Sequence, residues 1–192
     1  RPLGPIYFTN TVDQPALAHR FTKSLWQHAI PFVVFFLTFV IWLMFIEGYA
    51  INPDTGEIFM QANKYFLNFI EMPVVLVLFL VGVVLVLYGI GLSLLTPTSN
   101  GIWFTGPGVI LTVFALLLVA GFNNTAFYPS NYDIQSSITI MNGSSSHFTL
   151  TAMSYVSLMV PFVIAYIWYA WRAINNQKIN KEELTSGDSH IY

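Results

Sequence analysis

Four histidines, nine acidic residues and no cysteine bound the chemistry open to this chain of 192 residues. The lack of cysteine removes disulfides, thiolate metal sites, iron–sulfur clusters and thiol nucleophiles together. Histidine is the commonest protein ligand of haem, so His19, His28, His147 and His190 come first. His19 and His190 fall in polar segments. His28 and His147 fall at opposite ends of apolar stretches that each suit a membrane thickness of about 30 Å, too far apart to share one iron. Sequence therefore assigns no haem ligand and no metal ligand to this chain.

Carboxylates are the second candidates. Glu47 and Glu71 border one polar loop. An acid inside a membrane span is a functional candidate by default, and Glu71 is the sharper of the two because Phe69-Ile70 precede it and Met72-Pro73-Val74 follow. It is the candidate for a proton path; its ordinary alternative is an interfacial acid near a helix N-terminus, where the helix dipole favours it. Gly106-Pro107-Gly108 lacks the spacing of a phosphate-binding loop. No Ser/His/Asp set falls on one side with a plausible meeting point, so no catalytic residue is assigned.

The elements that would position these groups follow from composition. Hydrophobic residues make up 55% and charged residues 8% of the chain, against about 25% charged in a soluble domain. That is too little charge to clothe a water-facing surface and too much apolarity for disorder. A net charge of −2 argues against a nucleic acid partner, which needs clustered Lys and Arg. Four apolar stretches, about 29–46, 72–95, 102–122 and 150–171, match the roughly 20 residues that cross a bilayer. Only Asp133 carries a formal charge between Glu71 and Arg172. The runs are apolar on all sides and lack the period of two that barrel strands require, so they are helices. The fold class is an all-α membrane protein with four transmembrane helices in a bundle.

Six of the seven Lys and Arg residues lie in the terminal segments: Arg1, Arg20, Lys23, Arg172, Lys178 and Lys181, with Lys64 alone in a loop. The positive-inside bias then puts both ends in the cytoplasm, and residues 172–192 form a short cytoplasmic tail. Trp26, Trp103, Trp168 and Trp171 fall at the cytoplasmic interface, where an indole is favoured. Pro31, Pro73 and Pro107 are expected in first turns, and Pro161 is expected to kink the fourth span. Ser157, Pro161 and Ala165 recur every four residues, a small-residue stripe suited to close helix contact. Ser144-Ser145-Ser146 offers a cap for the fourth helix. Asn123-Asn124-Thr125 and Asn142-Gly143-Ser144 match the glycosylation pattern, yet an outer loop without cysteine argues against a eukaryotic four-span surface protein.

The stretch Ser136-Ser137-Ile138-Thr139-Ile140-Met141-Asn142-Gly143-Ser144-Ser145-Ser146-His147-Phe148-Thr149-Leu150 resembles the last outer loop of subunit II of the cytochrome bd quinol oxidases. Thr151 to Tyr155, Val160-Pro161-Phe162 and Tyr166 to Trp171 are similar to that family's final helix, and Ile179 to Glu183 with Ser189 to Tyr192 to its C-terminus. Ile6-Tyr7-Phe8 with Leu17-Ala18-His19-Arg20 resembles the entry to its sixth helix, and Asn68-Phe69 with Pro73 the start of its seventh. The resemblance implies the last four of nine helices, the other five preceding Arg1, which is not Met. It implies the N-terminal part of the same subunit as a partner, together with subunit I, membrane lipid and quinol. Haems b and d are then expected in subunit I, none in this chain, with a structural quinone as a further occupant. The implied setting is a bacterial cytoplasmic membrane and the implied reaction is quinol oxidation by O2, to which this part contributes scaffolding. The family's acidic proton-delivery motif falls outside the matched helices, and Glu71 stands where the family carries uncharged residues. The rival from another class is half of a secondary transporter, built on helices broken at mid-membrane.

This orientation has a direct test. In Asn142→Cys, the only thiol of the chain is expected to react with an impermeant maleimide in intact cells; full protection of that thiol would reverse the assignment.

Overall fold

The computed structural model describes residues 1–11, 15–96 and 100–174. Lys178, Lys181, His190 and nearly all of the expected tail lie outside them. In chain order the elements are α1 (Leu3–Thr11), α2 (Pro15–Phe45), β1 (Gly48–Ile51), β2 (Ile58–Gln61), α3 (Lys64–Glu71), α4 (Pro73–Leu95), α5 (Gly101–Gly121), α6 (Ile140–Gly143), α7 (His147–Ser157) and α8 (Val160–Ile174), with a 3-10 turn at Ile134–Ser136. Four helical stretches are long and apolar enough to cross a membrane: His19–Phe45, Pro73–Leu95, Gly101–Gly121 and His147–Ala173. The chain is an all-α membrane protein with four spans.

The first span begins at His19 rather than Ala29, because α2 continues through the charged turn that holds Arg20 and Lys23. Pro31 therefore lies in the interior of α2, and Pro107 in the interior of α5, instead of in first turns. Each removes one backbone donor and leaves the carbonyl four residues earlier without its usual partner. Pro73 does open its helix. It also ends α3, since the residue before a proline is pushed out of the helical region; Met72 sits at φ −115°, ψ 73°.

The loop after α2 is a β-hairpin, which the sequence reading left as plain loop. Tyr49 pairs with Met60 and Ala50 with Phe59 in antiparallel register. Asn52-Pro53-Asp54-Thr55-Gly56 supplies turn residues, and Gly56 takes the positive φ of 72° that glycine tolerates best. The loop after α5 docks on this hairpin. Ile51 N–H donates to the Asn124 carbonyl at 2.8 Å, and Ala126 N–H to the Tyr49 carbonyl at 2.9 Å. The Gln135 side chain donates to the Ile58 carbonyl at 2.7 Å and accepts from Ile58 N–H at 3.0 Å. The first and third loops are thus knitted together, as four antiparallel spans require.

The most extensive interface joins α4 and α5. The buried residues of α4 include Val75, Phe79, Gly82, Val86, Gly89 and Ser93; those of α5 are Gly101, Thr105, Gly108, Thr112, Ala115 and Val119. Both sets step by four and three, the seam of a left-handed supercoil. Small residues fill its middle, so backbone meets backbone. A Cβ at Gly89 would stand 2.7 Å from the Gly101 carbonyl oxygen, and one at Gly108 would stand 2.9 Å from that of Gly82. Lipid gives apolar side chains no drive to leave it, so such close packing is what holds helices together in a membrane. The hydroxyls in the seam are satisfied within their own helices: Ser93 donates to the Gly89 carbonyl, Thr105 to Gly101 and Thr112 to Gly108, at 2.8–2.9 Å. At one end of the seam Ile6, Leu25, Ala29, Val86 and Ile90 form a core; at the other, Phe69, Val75, Phe79, Ala115 and Val119 form a second.

The fourth span stands apart. Ser146 caps α7 by accepting from Thr149 N–H, as its position suggested. The span then breaks at Leu158–Met159, whose amides reach back three residues to Tyr155 and Val156, just ahead of Pro161. The break falls between Ser157 and Pro161, inside the expected stripe that continues to Ala165. All three are exposed, and the span meets the rest of the chain near its C-terminal end, where Trp171 lies edge-on to Tyr7 at 6.3 Å.

The seam makes a quantitative prediction. Gly89→Ala forces a Cβ against the Gly101 backbone and is expected to destabilise the purified protein by about 1–3 kcal/mol. Gly91→Ala, on the same helix with nothing within 4 Å of its Cβ, is expected to leave the melting temperature at or slightly above the parent value. Equal melting temperatures for the two variants would refute the close contact.

Candidate functional site

The densest polar constellation lies where α3, α5 and the third loop meet, and it includes Glu71. Asn68 of α3 is fully buried. Its Nδ2 donates to the Val119 carbonyl and to the Thr125 hydroxyl, both at 2.8 Å, and its Oδ1 accepts from Asn123 Nδ2 at 3.0 Å. Val119 lies in the last turn of α5, where carbonyls lack helical donors. The Asn68 side chain therefore caps a helix from 51 residues away. Asn123 Nδ2 also donates to the Glu71 carboxylate, and the Thr125 hydroxyl to the Asn123 carbonyl. Asn123 and Asn124 hold φ of 57° and 51°, a left-handed conformation that asparagine adopts more readily than most residues.

Lys64 completes the cluster. Its Nζ donates to the Asn123 carbonyl at 3.0 Å, just beyond the end of α5. There the cation faces the negative end of the helix dipole. Only 6% of Lys64 is exposed, and its stem passes under Gly48, where a Cβ would come within 2.7 Å of Lys64 Cβ. Burial lowers the Lys64 ammonium below its usual value, against the opposing pull of the Glu71 carboxylate. Burial raises the neighbouring Tyr65 phenol, with Tyr49 adding to the shift. Sequence reading placed Lys64 in a loop. Nothing local marks it for burial, although a lone Lys among apolar neighbours is a weak signal.

Chemically the cluster holds one cation, neutral amides and one exposed carboxylate. The groups next to Glu71 are amides, which do not exchange protons readily, so the hydrogen-bonded chain leads from the carboxylate into a helix cap.

The histidines stay apart. His28 Nδ1 is held by the Ser24 carbonyl at 2.6 Å within α2. His19 lies on the same helix, and His147 is the first residue of α7. No group of three or more His, Cys, Asp or Glu gathers among the described residues. Two cavities among the described residues border the spans. One of about 210 Å³ lies between α2, α4 and α5 and is walled by Phe32, Phe36, Phe39 and aliphatic side chains. The other, of about 870 Å³, lies between α1, α5 and α8.

Comparison with known proteins places these features in a family. Residues 2–174 match the family "Cytochrome bd terminal oxidase subunit II". The cytochrome bd-I ubiquinol oxidase subunit 2 of Escherichia coli K12 is 27% identical over 196 aligned positions, covering 95% of this chain and 50% of the relative. The subunits of that name from Escherichia coli O157:H7 and from strain CFT073 match to the same extent. The chain thus spans about half the length of the curated relatives it matches. With its four spans and its Ser/Thr-rich third loop, the chain belongs to the cytochrome bd terminal oxidase subunit II family.

Proposed function

We propose that this chain is a scaffolding part of a quinol oxidase, packing against the rest of subunit II and against a subunit I that carries haems b and d. The reaction of the whole complex is the oxidation of two quinols by one O2 to two quinones and two waters. The observation that carries this reading is the family match, which runs over residues 2–174. The scattered histidines support a role without electron carriers in this part of the complex. The setting is the bacterial cytoplasmic membrane, with both ends of the segment in the cytoplasm. A quinone or lipid tail fits the small aromatic-walled cavity by polarity, since its surface is wholly apolar.

Glu71 belongs to the clasp of the outer loops in this proposal, and not to a proton path. Its exposure and its amide neighbours favour that role. The transporter alternative draws on the broken fourth span, but no charged residue accompanies the break at Leu158–Met159.

One experiment tests the reading. The protein is purified from its own membrane in mild detergent, and the parent is expected to bring haem with it, seen as Soret and red-region absorption. His28→Ala, His147→Ala and Glu71→Gln are each expected to keep the haem spectrum and quinol-dependent O2 consumption at the parent level. Loss of one haem band in an assembled histidine variant would give this chain an iron ligand; absence of haem from the parent would end the oxidase reading.

A further inference from the structure

The larger cavity has the polarity of an amphiphile. It opens where three helix ends meet. Arg172, in the last turn of α8, stands at its rim with the guanidinium 5.4 Å from the centre of the Trp168 ring. That contact covers one face of the guanidinium, and its edge meets no carboxylate among the described residues. Tyr7 and Asn10 of α1 add polar groups to the same lining. Along α5 the wall changes character. Trp103 lies near the helix start, whereas Ile110 lies nine residues beyond Gly101, or about 13 Å deeper at the usual helical rise. Between them Gly106 leaves open space where any side chain would stand. Pro107 gives the Trp103 carbonyl no amide partner, so the wall includes a backbone acceptor short of its ordinary donor.

We propose that this cavity is a binding site for one anionic phospholipid, its phosphate on Arg172 and an acyl chain running past Gly106 toward Ile110. A head group that carries hydroxyls, such as the glycerol of phosphatidylglycerol, also supplies the donor that the Trp103 carbonyl lacks. Trp103, Trp168 and Trp171 wall the head-group level, the depth at which indoles prefer to lie. The charge of the rim selects the anionic class: one basic residue at a lipid surface favours anionic over zwitterionic head groups. The volume of about 870 Å³ takes a head group with the upper part of a chain, whereas the smaller cavity takes only a length of tail. The site brings the first and last helices of the chain onto one ligand and gives the fourth span, exposed elsewhere, a fixed point. It is built from this chain alone and stands or falls separately from the oxidase reading.

The test is native mass spectrometry of the protein with its copurifying subunits, delipidated in mild detergent. It is then supplied with phosphatidylglycerol, with phosphatidylcholine of the same chains, or with inorganic phosphate. The parent is expected to retain one more phosphatidylglycerol than Arg172→Gln, with occupancy in the variant down about fivefold, the effect of one basic residue at an anionic surface. Arg172→Lys is expected to keep most of the binding. Phosphatidylcholine is expected to bind the two proteins alike. Equal retention of both lipids by the parent, or unchanged phosphatidylglycerol binding in Arg172→Gln, would overturn the proposal. Displacement of the lipid by equimolar inorganic phosphate would replace it with a free-phosphate site. Melting temperature, read alongside, separates lost binding from lost fold: Arg172→Gln is expected to melt with the delipidated parent and to lose the rise that phosphatidylglycerol gives it.

Discussion

The packing of the first three spans turns on the direct contact of two helix backbones, those of α4 and α5. Lipid tails compete on equal terms with leucine and valine for contact with leucine and valine, so apolarity alone cannot hold α4 to α5. Gly82 and Gly89 on one helix and Gly101 and Gly108 on the other remove the side chains that would hold the axes apart. Many weak dispersion contacts and the approach of peptide dipoles then do the joining. Ser93, Thr105 and Thr112 add no unmet hydrogen bond to this contact, because each turns its hydroxyl back to a glycine carbonyl of its own helix.

The polar cluster around Asn68 follows from that contact. Once α4 and α5 lie against each other, the end of α5 stands beside α3, and Asn68 can cap the Val119 carbonyl. The cap fixes Asn123 and Thr125, and these fix the third loop on the β-hairpin. Lys64 tolerates burial because it faces the end of α5 and a nearby carboxylate at once. At its opposite end α5 supplies one wall of the larger cavity, so this helix borders both polar regions.

Much of this was legible in the residues. Length and apolarity marked four spans; the hydroxyl run before His147 marked the cap of the fourth; and the Ser/Thr-rich loop carried a family resemblance that the comparison upholds. The seam itself was open to reading, since Gly82, Val86, Gly89 and Ser93 and then Gly101, Thr105, Gly108 and Thr112 step by four and three. Other features were beyond local reading. The buried Asn68 depends on a carbonyl 51 residues away, and the burial of Lys64 depends on which loop covers it. The hairpin was disguised by its length, as four-residue strands show too few alternations to stand out from loop.

The central claim is that α4 and α5 meet along the four-and-three seam, and cross-linking tests it most directly because the chain has no cysteine of its own. Phe79 and Ala115 share one core cluster on facing sides of the seam, whereas Val77 is more than half exposed. Disulfides form only between Cβ atoms about 3.5–4.5 Å apart. After mild oxidation in native membranes, the pair Phe79→Cys with Ala115→Cys is predicted to lose both thiols to maleimide–polyethylene glycol, while Val77→Cys with Ala115→Cys keeps them. Equal reactivity in the two pairs would contradict the account.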